Sequence, residues 1–269
     1  MNFHSDSWIM DRVQAHYNDA LEYFPEDRIV CMVLQGSQNY GLDTPKSDID
    51  TRLIVCPTFY DLAMNKQPVS STHIRANDEH IDFKDTRLAI QLFKKQNLNF
   101  LECLFSQYFV VNSTYADEWK RLIEARERIA RYNPRQAVKS IQGMAHTKYK
   151  QLENDSPAHA EDIKKFGYSA KELCHLKRIE EYLARYIGGK QYADCLISGS
   201  PAFLKDVKYG LFDLYDAREM AEIAIKRIDA MADKFLLTCD GEVDEEVGAL
   251  LDDVQYNIMK IAIKKEVGD

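Results

Sequence analysis

The hydrophobic pattern of this chain changes period once. Up to about residue 112, apolar residues come in short runs bounded by turn-forming residues. From about Ala116 onward they recur every three or four positions through long charged stretches. Runs of period 2 make strands and recurrences near period 3.6 make helices. The chain is therefore expected to fold as an α/β N-terminal half, 1–112, followed by a helical half, 113–269. The boundary is soft across 112–134, because long helices can pack back on a sheet.

Within the first half, Ser5, Asp6 and Ser7 can cap a helix that carries Trp8, Ile9, Val13, Tyr17, Leu21 and Phe24 at amphipathic spacing. Strands are expected at 28–35, 48–56 (stopped by Pro57) and 80–86, with a short one permitted at 107–112. Helical stretches follow at 87–96 and 98–106. In the second half, 116–132, 134–154, 168–187, 217–235 and 244–265 all read as helices. Gly188-Gly189 and the 154–162 loop punctuate them.

The stretch with the sharpest chemistry is VLQGSQNYGLDTPKSDIDTRLIVCP, 33–57. An apolar run stops at Gly36-Ser37, ten mostly polar or turn-prone residues follow, and Asp48 and Asp50 then open a second apolar run. Strand alternation puts Asp48, Asp50 and Arg52 on one face, the two acids about 6–7 Å apart at Cα. Two like charges so placed repel, and a divalent cation between them removes the repulsion. Hard oxygen ligands suit Mg²⁺, which also accepts substrate phosphates as ligands. Gly36 lets backbone approach a phosphate closely, and the Ser37 hydroxyl and nearby N–H groups can bind its oxygens. A metal beside a phosphate cradle is the chemistry of phosphoryl or nucleotidyl transfer.

Each residue also has a plainer reading. Asp48 can be a turn residue and Asp50 a solvated edge position. Ser37 can cap a helix, and Ser47 can cap or orient the carboxylates. Arg52 can neutralise the acid face, touch phosphate or make a structural ion pair. Tyr40-Gly41 suits a packing aromatic and a turn glycine. His80 reads as a surface or packing histidine, and Glu102 as bonding locally.

The ordered set GSQNYGLDTPKSDID resembles the GS-x(10–12)-D-x-D signature of the DNA polymerase β-like nucleotidyltransferase superfamily. In the fuller form GSxxYGxxxxxSDID it is similar to a group of bacterial and phage nucleotidyltransferases. The resemblance continues at HIDFKDTRLAIQLFKKQNLNFLECLF, where Leu98 stands in place of the group's usual Pro. It continues again at YSAKELCHLKR, which is similar to a K-x-x-x-H-x-x-R helix. What the resemblance implies is an α+β fold, with a nucleotidyltransferase-type mixed β-sheet core and a C-terminal α-helical domain. It implies an enzyme in which Asp48, Asp50 and Asp82 are catalytic and hold two Mg²⁺ ions, Mn²⁺ being a possible substitute. Asp78, Glu79 and Asp85 neighbour the third acid. Asp82 is preferred because it lies between Ile81 and Phe83 and faces away from both. Gly36, Ser37 and Ser47, with Lys171, His175 and Arg178 at i, i+4, i+7 of one helix, are the nucleotide-binding candidates.

The expected reaction moves an NMP from an NTP, ATP by default on abundance, to an acceptor hydroxyl with release of pyrophosphate. The acceptor is open among a protein side chain, a small molecule, an RNA end and another nucleotide. A nucleotide-binding regulatory or antitoxin-like module without turnover is the alternative, against which three complete acids argue. A net charge of −8 argues against general nucleic-acid binding and against a tailing enzyme with a broad basic channel. The six scattered cysteines have no metal-binding spacing and suit a reduced, cytoplasmic protein. There is no signal-peptide pattern at the N-terminus, and no apolar stretch approaches the roughly 20 residues of a membrane span.

Overall fold

The structure, a computed structural model, describes residues 2–45, 47–157 and 159–268. Lys46, inside the acid motif, and Ala158, inside the 154–162 loop, lie outside the described residues.

Among the described residues five strands form one mixed sheet: β1 (Ile29–Gln35), β2 (Asp50–Val55), β3 (Ser70–Ile74), β4 (His80–Asp85) and β5 (Phe109–Val111), in the order β3-β4-β2-β1-β5. Only β2 and β4 run parallel; the other pairs are antiparallel. The apolar runs IVCMVLQ and DTRLIV are buried on both faces, as central strands require. β3 (SSTHI) is an exposed edge strand with no apolar alternation, and the sequence gives it no signal. A tight turn joins it to β4, with Asp78 at a φ of 63° and the Asp78 N–H donating to the Arg75 carbonyl. Short-side-chain acids tolerate that left-handed backbone better than most residues.

Helix α1 (Asp6–Ala20) is capped by the Ser5 hydroxyl, which accepts from Trp8 N–H. Its Ile9, Val13, Tyr17 and Ala20 bury against Met32, Leu34, Leu53, Val55, Ile81 and Phe83 on one face of the sheet. Beyond the strands lie α2 (Phe59–Ala63), α3 (Thr86–Lys94), α4 (Leu98–Leu101), α5 (Ala116–Glu124) and α6 (Arg126–Ile129). The helix expected at 116–132 is thus broken at Ala125, and that expected at 98–106 is short and passes into a 3₁₀ turn at Glu102–Leu104. The second half supplies α7 (Pro134–Gln151), α8 (Ala160–Phe166), α9 (Ala170–Ile187), α10 (Tyr192–Leu196), α11 (Pro201–Lys208), α12 (Leu214–Thr238) and α13 (Glu245–Val267).

Two compact units result, Met1–Asn133 with Val243–Asp269, and Pro134–Glu242. This division differs from the expected 1–112 and 113–269. Helix α13 returns to the sheet unit, where Arg121 pairs with Asp253 and Lys94 with Asp252. Helical periodicity tells which face of a segment is buried, not which core buries it. No helix of the described residues is long and apolar enough to cross a membrane. Cys31, Cys56, Cys103, Cys174 and Cys195 are buried free thiols.

Candidate active site

The described residues between the two motif halves, 38–45 and Ser47, form a hydrogen-bonded scaffold. Gly36 leaves β1 at a φ of 98°, a conformation L side chains rarely adopt, although a Cβ there would meet nothing closer than 3.5 Å. Conformation, not space, demands glycine at this point. A single 3₁₀ turn, Ser37–Tyr40, follows. Buried Gln38 donates to the Asp48 carbonyl (2.6 Å), tying the start of the loop to its end. The Ser37 hydroxyl donates to Ser47 Oγ (3.4 Å), and Ser47 Oγ also accepts from Thr44 N–H (2.9 Å). Asp43 accepts from the N–H groups of Phe3 and His4, which roots the loop at the start of α1. Tyr40 donates its hydroxyl to the carboxylate of Glu102, a partner 62 residues away, so Glu102 also bonds across the fold. Gly36, Ser37, Ser47, Asp48 and Asp50 are thereby held together at one end of β1 and β2.

Ladder register sets the acid face. Gln35 pairs with Asp50 on one side of β2; on the other, Thr51 pairs with Ile81 and Arg52 with Asp82. Asp50, Arg52, His80 and Asp82 consequently share a face. Asp48 is exposed, just ahead of β2. Asp50 is half-exposed and carries His80 on one oxygen: both the His80 backbone N–H and Nδ1 lie 3.1 Å from Oδ1. Asp82 has a different setting. Arg52 Nε and Nη2 both donate to its Oδ2 at 3.1 Å, and Lys84 lies 2.8 Å from Oδ1. Arg52 is buried, donates to the Asn99 carbonyl (2.7 Å) and lies 3.7 Å above the Phe100 ring centroid.

The opposite face of the same strand ends is polar and closed. His16 on α1 is fully buried, with Nδ1 2.9 Å from Thr51 Oγ1 and Nε2 2.9 Å from Glu79 Oε2. Glu79 also accepts from Arg12 and, at 2.8 Å, from Arg75, whose Nε reaches Asp19 (2.6 Å). Burial works to raise the Glu79 carboxyl. Hydrogen bonds from His16, Asn77 and Arg12 outweigh it and hold the group well below the usual carboxylate range. Thr51 follows Asp50 and Glu79 precedes His80, so His16 pins the two strands directly beneath the Asp50–His80 contact.

The remaining candidates, Lys171, His175 and Arg178, lie on α9 in the helical unit. Ser169 caps this helix by accepting from Glu172 N–H (3.3 Å). Lys171 is exposed; His175 and Arg178 are half-buried. Burial, then the charges of Arg178, Lys148, Lys171 and Lys208, push the His175 imidazole well below its ordinary pKa. It is therefore neutral near pH 7 and is a hydrogen-bonding group beside four cations, not a fifth cation. The sequence pattern had not included Lys148 on α7 or Lys208 on α11.

A cation bound at the acid face would find oxygen donors of the right kind. The Asp48 and Asp50 carboxylates stand at an open strand end beside the Gly36–Ser37 turn and the Ser47 hydroxyl, a hard-oxygen set that fits a divalent ion. Asp82 does not present its oxygens to such an ion while Arg52 and Lys84 hold them. Among the described residues no group of three His, Cys, Asp or Glu side chains is arranged to hold a metal ion. Sequence reasoning passed over His16 and took His80 for a surface or packing histidine, whereas the structure sets His80 against Asp50. The alternation in HIDFKD puts His80 on the same face as Asp82, but its pairing with Asp50 depends on cross-strand register.

No curated protein matches the chain. One solved structure that it resembles is the crystal structure of a nucleotidyltransferase-like protein from Exiguobacterium sibiricum, at 9% identity and a TM-score of 0.31, covering 93% of this chain and 80% of that one. The model of the RlaP family, described as the RNA repair pathway DNA polymerase beta family, matches residues 9–185. That span takes in most of α1, the GS loop, the acid strands and most of α9. The chain belongs to this RNA repair pathway family, and with it to the DNA polymerase β-like nucleotidyltransferases.

Proposed function

We propose that the protein transfers a nucleoside monophosphate from an NTP to an acceptor hydroxyl in a Mg²⁺-dependent reaction. The acceptor oxygen bonds to the α-phosphorus as the bond to the β-phosphate oxygen breaks; pyrophosphate departs, and the hydroxyl proton passes to solvent. The observation that carries this reading is the strand end itself. The Gly36–Ser37 turn and Ser47 are hydrogen-bonded into one scaffold with the exposed Asp48 and half-exposed Asp50.

In this reading Asp48 and Asp50 hold the divalent metal, which supplies positive charge to the reacting phosphate oxygens. Asp82 would be the third acid to hold it, although Arg52 and Lys84 hold its oxygens here. Gly36 N–H, Ser37 and Ser47 bind the β- and γ-phosphate oxygens. Within the helical unit Lys171 and Arg178 are the phosphate-binding cations, Lys171 as a point charge and Arg178 through a bidentate grip, with His175 donating a hydrogen bond. ATP is the nucleotide on abundance. Among the four acceptor classes, the family's description favours the hydroxyl of an RNA end. The cations beside His175 offer phosphate-binding charge within an acidic chain.

The test is incubation with each α-labelled NTP, Mg²⁺ and an RNA oligonucleotide bearing free terminal hydroxyls, beside one whose terminal hydroxyls are blocked. Label is expected on the free RNA alone. Label on a protein or small molecule in added cell extract would move the acceptor to that class. No labelled product from any NTP would remove the enzymatic reading of these residues.

A further inference from the structure

We propose that His80 is a positioning residue for the carboxylate of Asp50, fixing its rotation so that it meets a divalent cation in one orientation. This rests on the metal reading of Asp50 given above. Two donors from one residue converge on a single oxygen: His80 N–H and Nδ1, each 3.1 Å from Asp50 Oδ1. An ionised carboxylate only accepts, so the contact places the imidazole proton on Nδ1. A carboxylate whose Oδ1 carries two donors has lost the freedom to rotate about its Cβ–Cγ bond. Outer partners of this kind orient metal-binding groups and raise affinity.

Three features separate this contact from a chance surface pair. It lies one residue ahead of the parallel rung Thr51–Ile81, so the ladder fixes the distance between the two backbones. His16 clamps the neighbours of both residues from the opposite face, at 2.9 Å to Thr51 and 2.9 Å to Glu79. The Arg75–Glu79 turn that delivers His80 is closed by the Arg75 N–H bond to the Glu79 carbonyl (2.8 Å) and by the Arg75–Glu79 ion pair. The strand end is thus rigid beneath a half-exposed pair, as a preorganised ligand site requires.

The experiment titrates the full chain with Mn²⁺ alone and follows loss of the free-ion EPR signal, so no turnover is needed. His80→Ala is expected to weaken Mn²⁺ binding about 10–100-fold. His80→Asn, whose amide N–H replaces Nδ1–H, should recover most of that affinity. His80→Gln, whose amide corresponds to Nε2, should not. Unfolding midpoints without metal should be nearly the same for all three, because His80 is half-exposed and its pair contributes little to folding. Wild-type Mn²⁺ affinity in His80→Ala, with none in Asp50→Asn, would overturn this role and leave the metal reading standing. Equal weakening in all three variants would make the imidazole itself the ligand and would also overturn the role. Wild-type Mn²⁺ affinity in Asp50→Asn would sink the metal reading beneath it.

Discussion

Two neighbouring steps along β2 and β4 carry the same chemistry in opposite settings. At the first, Asp50 faces His80, with side chains 37% and 42% exposed; at the second, Asp82 faces Arg52, with 18% and 6%. Both are acid–base pairs on one face of the sheet, one alternation apart. The first ends at open solvent beside the GS loop. The second runs under α4, where the Asn99 carbonyl and the Phe100 ring complete the coordination of Arg52. An exposed pair contributes little to folding and is available to a ligand, whereas a buried charged pair must stay complete. Depth along the strand, more than residue type, separates an acid open to a ligand from one whose oxygens the protein already holds.

The sharpest way to break that comparison is to remove charge at the open end. Asp48→Asn and Asp50→Asn should each lower nucleotidyl transfer by about 10²–10³-fold, the equivalent of several kcal/mol of lost charge stabilisation. Neither should destabilise the metal-free fold, since like-charge repulsion is relieved. Label-transfer assays and thermal melts check the two halves of this expectation.

At the covered step the effect should fall on stability. Asp82→Asn leaves Arg52 buried without its charge partner and should cost about 3 kcal/mol in denaturant unfolding. Pairing Arg52→Met with Asp82→Leu should return much of it, because an apolar pair removes the desolvation cost. An Asp82→Asn variant as stable as wild type would erase the contrast between the two steps.

Ser37→Ala should weaken NTP binding by about 1.5–3 kcal/mol, one hydrogen bond to a charged group, and barely change binding of the bare nucleoside. Equal losses for both ligands would assign the hydroxyl to the loop, through its contact with Ser47. In the helical unit, Lys171→Ala and Arg178→Ala should weaken NTP binding more than NMP binding, by a few-fold each. Added salt should narrow the gap through screening. A separate effect concerns acid. Glu79 has a folded pKa below its unfolded value, so it adds stability that is present above about pH 4.3 and is lost as pH falls below that value. Glu79→Gln should flatten that part of the stability profile.

What the sequence made legible follows from which interactions are local. The strand–glycine–loop–acid order was readable because alternation and the turn at Gly36 depend on adjacent residues. Asp48, Asp50 and Arg52 could be assigned to one face of their strand by parity alone, and Asp82 to the side of its own strand away from Ile81 and Phe83. Their partners could not, since pairing Asp50 with His80 and Arg52 with Asp82 requires the β2–β4 register, fixed by contacts across 30 residues. β3 was invisible because an exposed edge strand buries nothing and so shows no alternation. The return of α13 to the sheet unit was equally hidden, because periodicity names a buried face and not its neighbour. Lys148 and Lys208 join Lys171 and Arg178 only through the packing of separate helices.

The most direct test of the central claim is the melting temperature with NTP present, measured with and without Mg²⁺. A ligand that binds only the folded state raises it by mass action. Wild-type protein should gain stability only when nucleotide and Mg²⁺ are both present. The Asp48→Asn, Asp50→Asn double variant should fold as well as wild type without metal and show no such gain. A double variant that unfolds, or one that gains as much as wild type, would contradict the assignment of the open strand end to a metal-assisted nucleotide site.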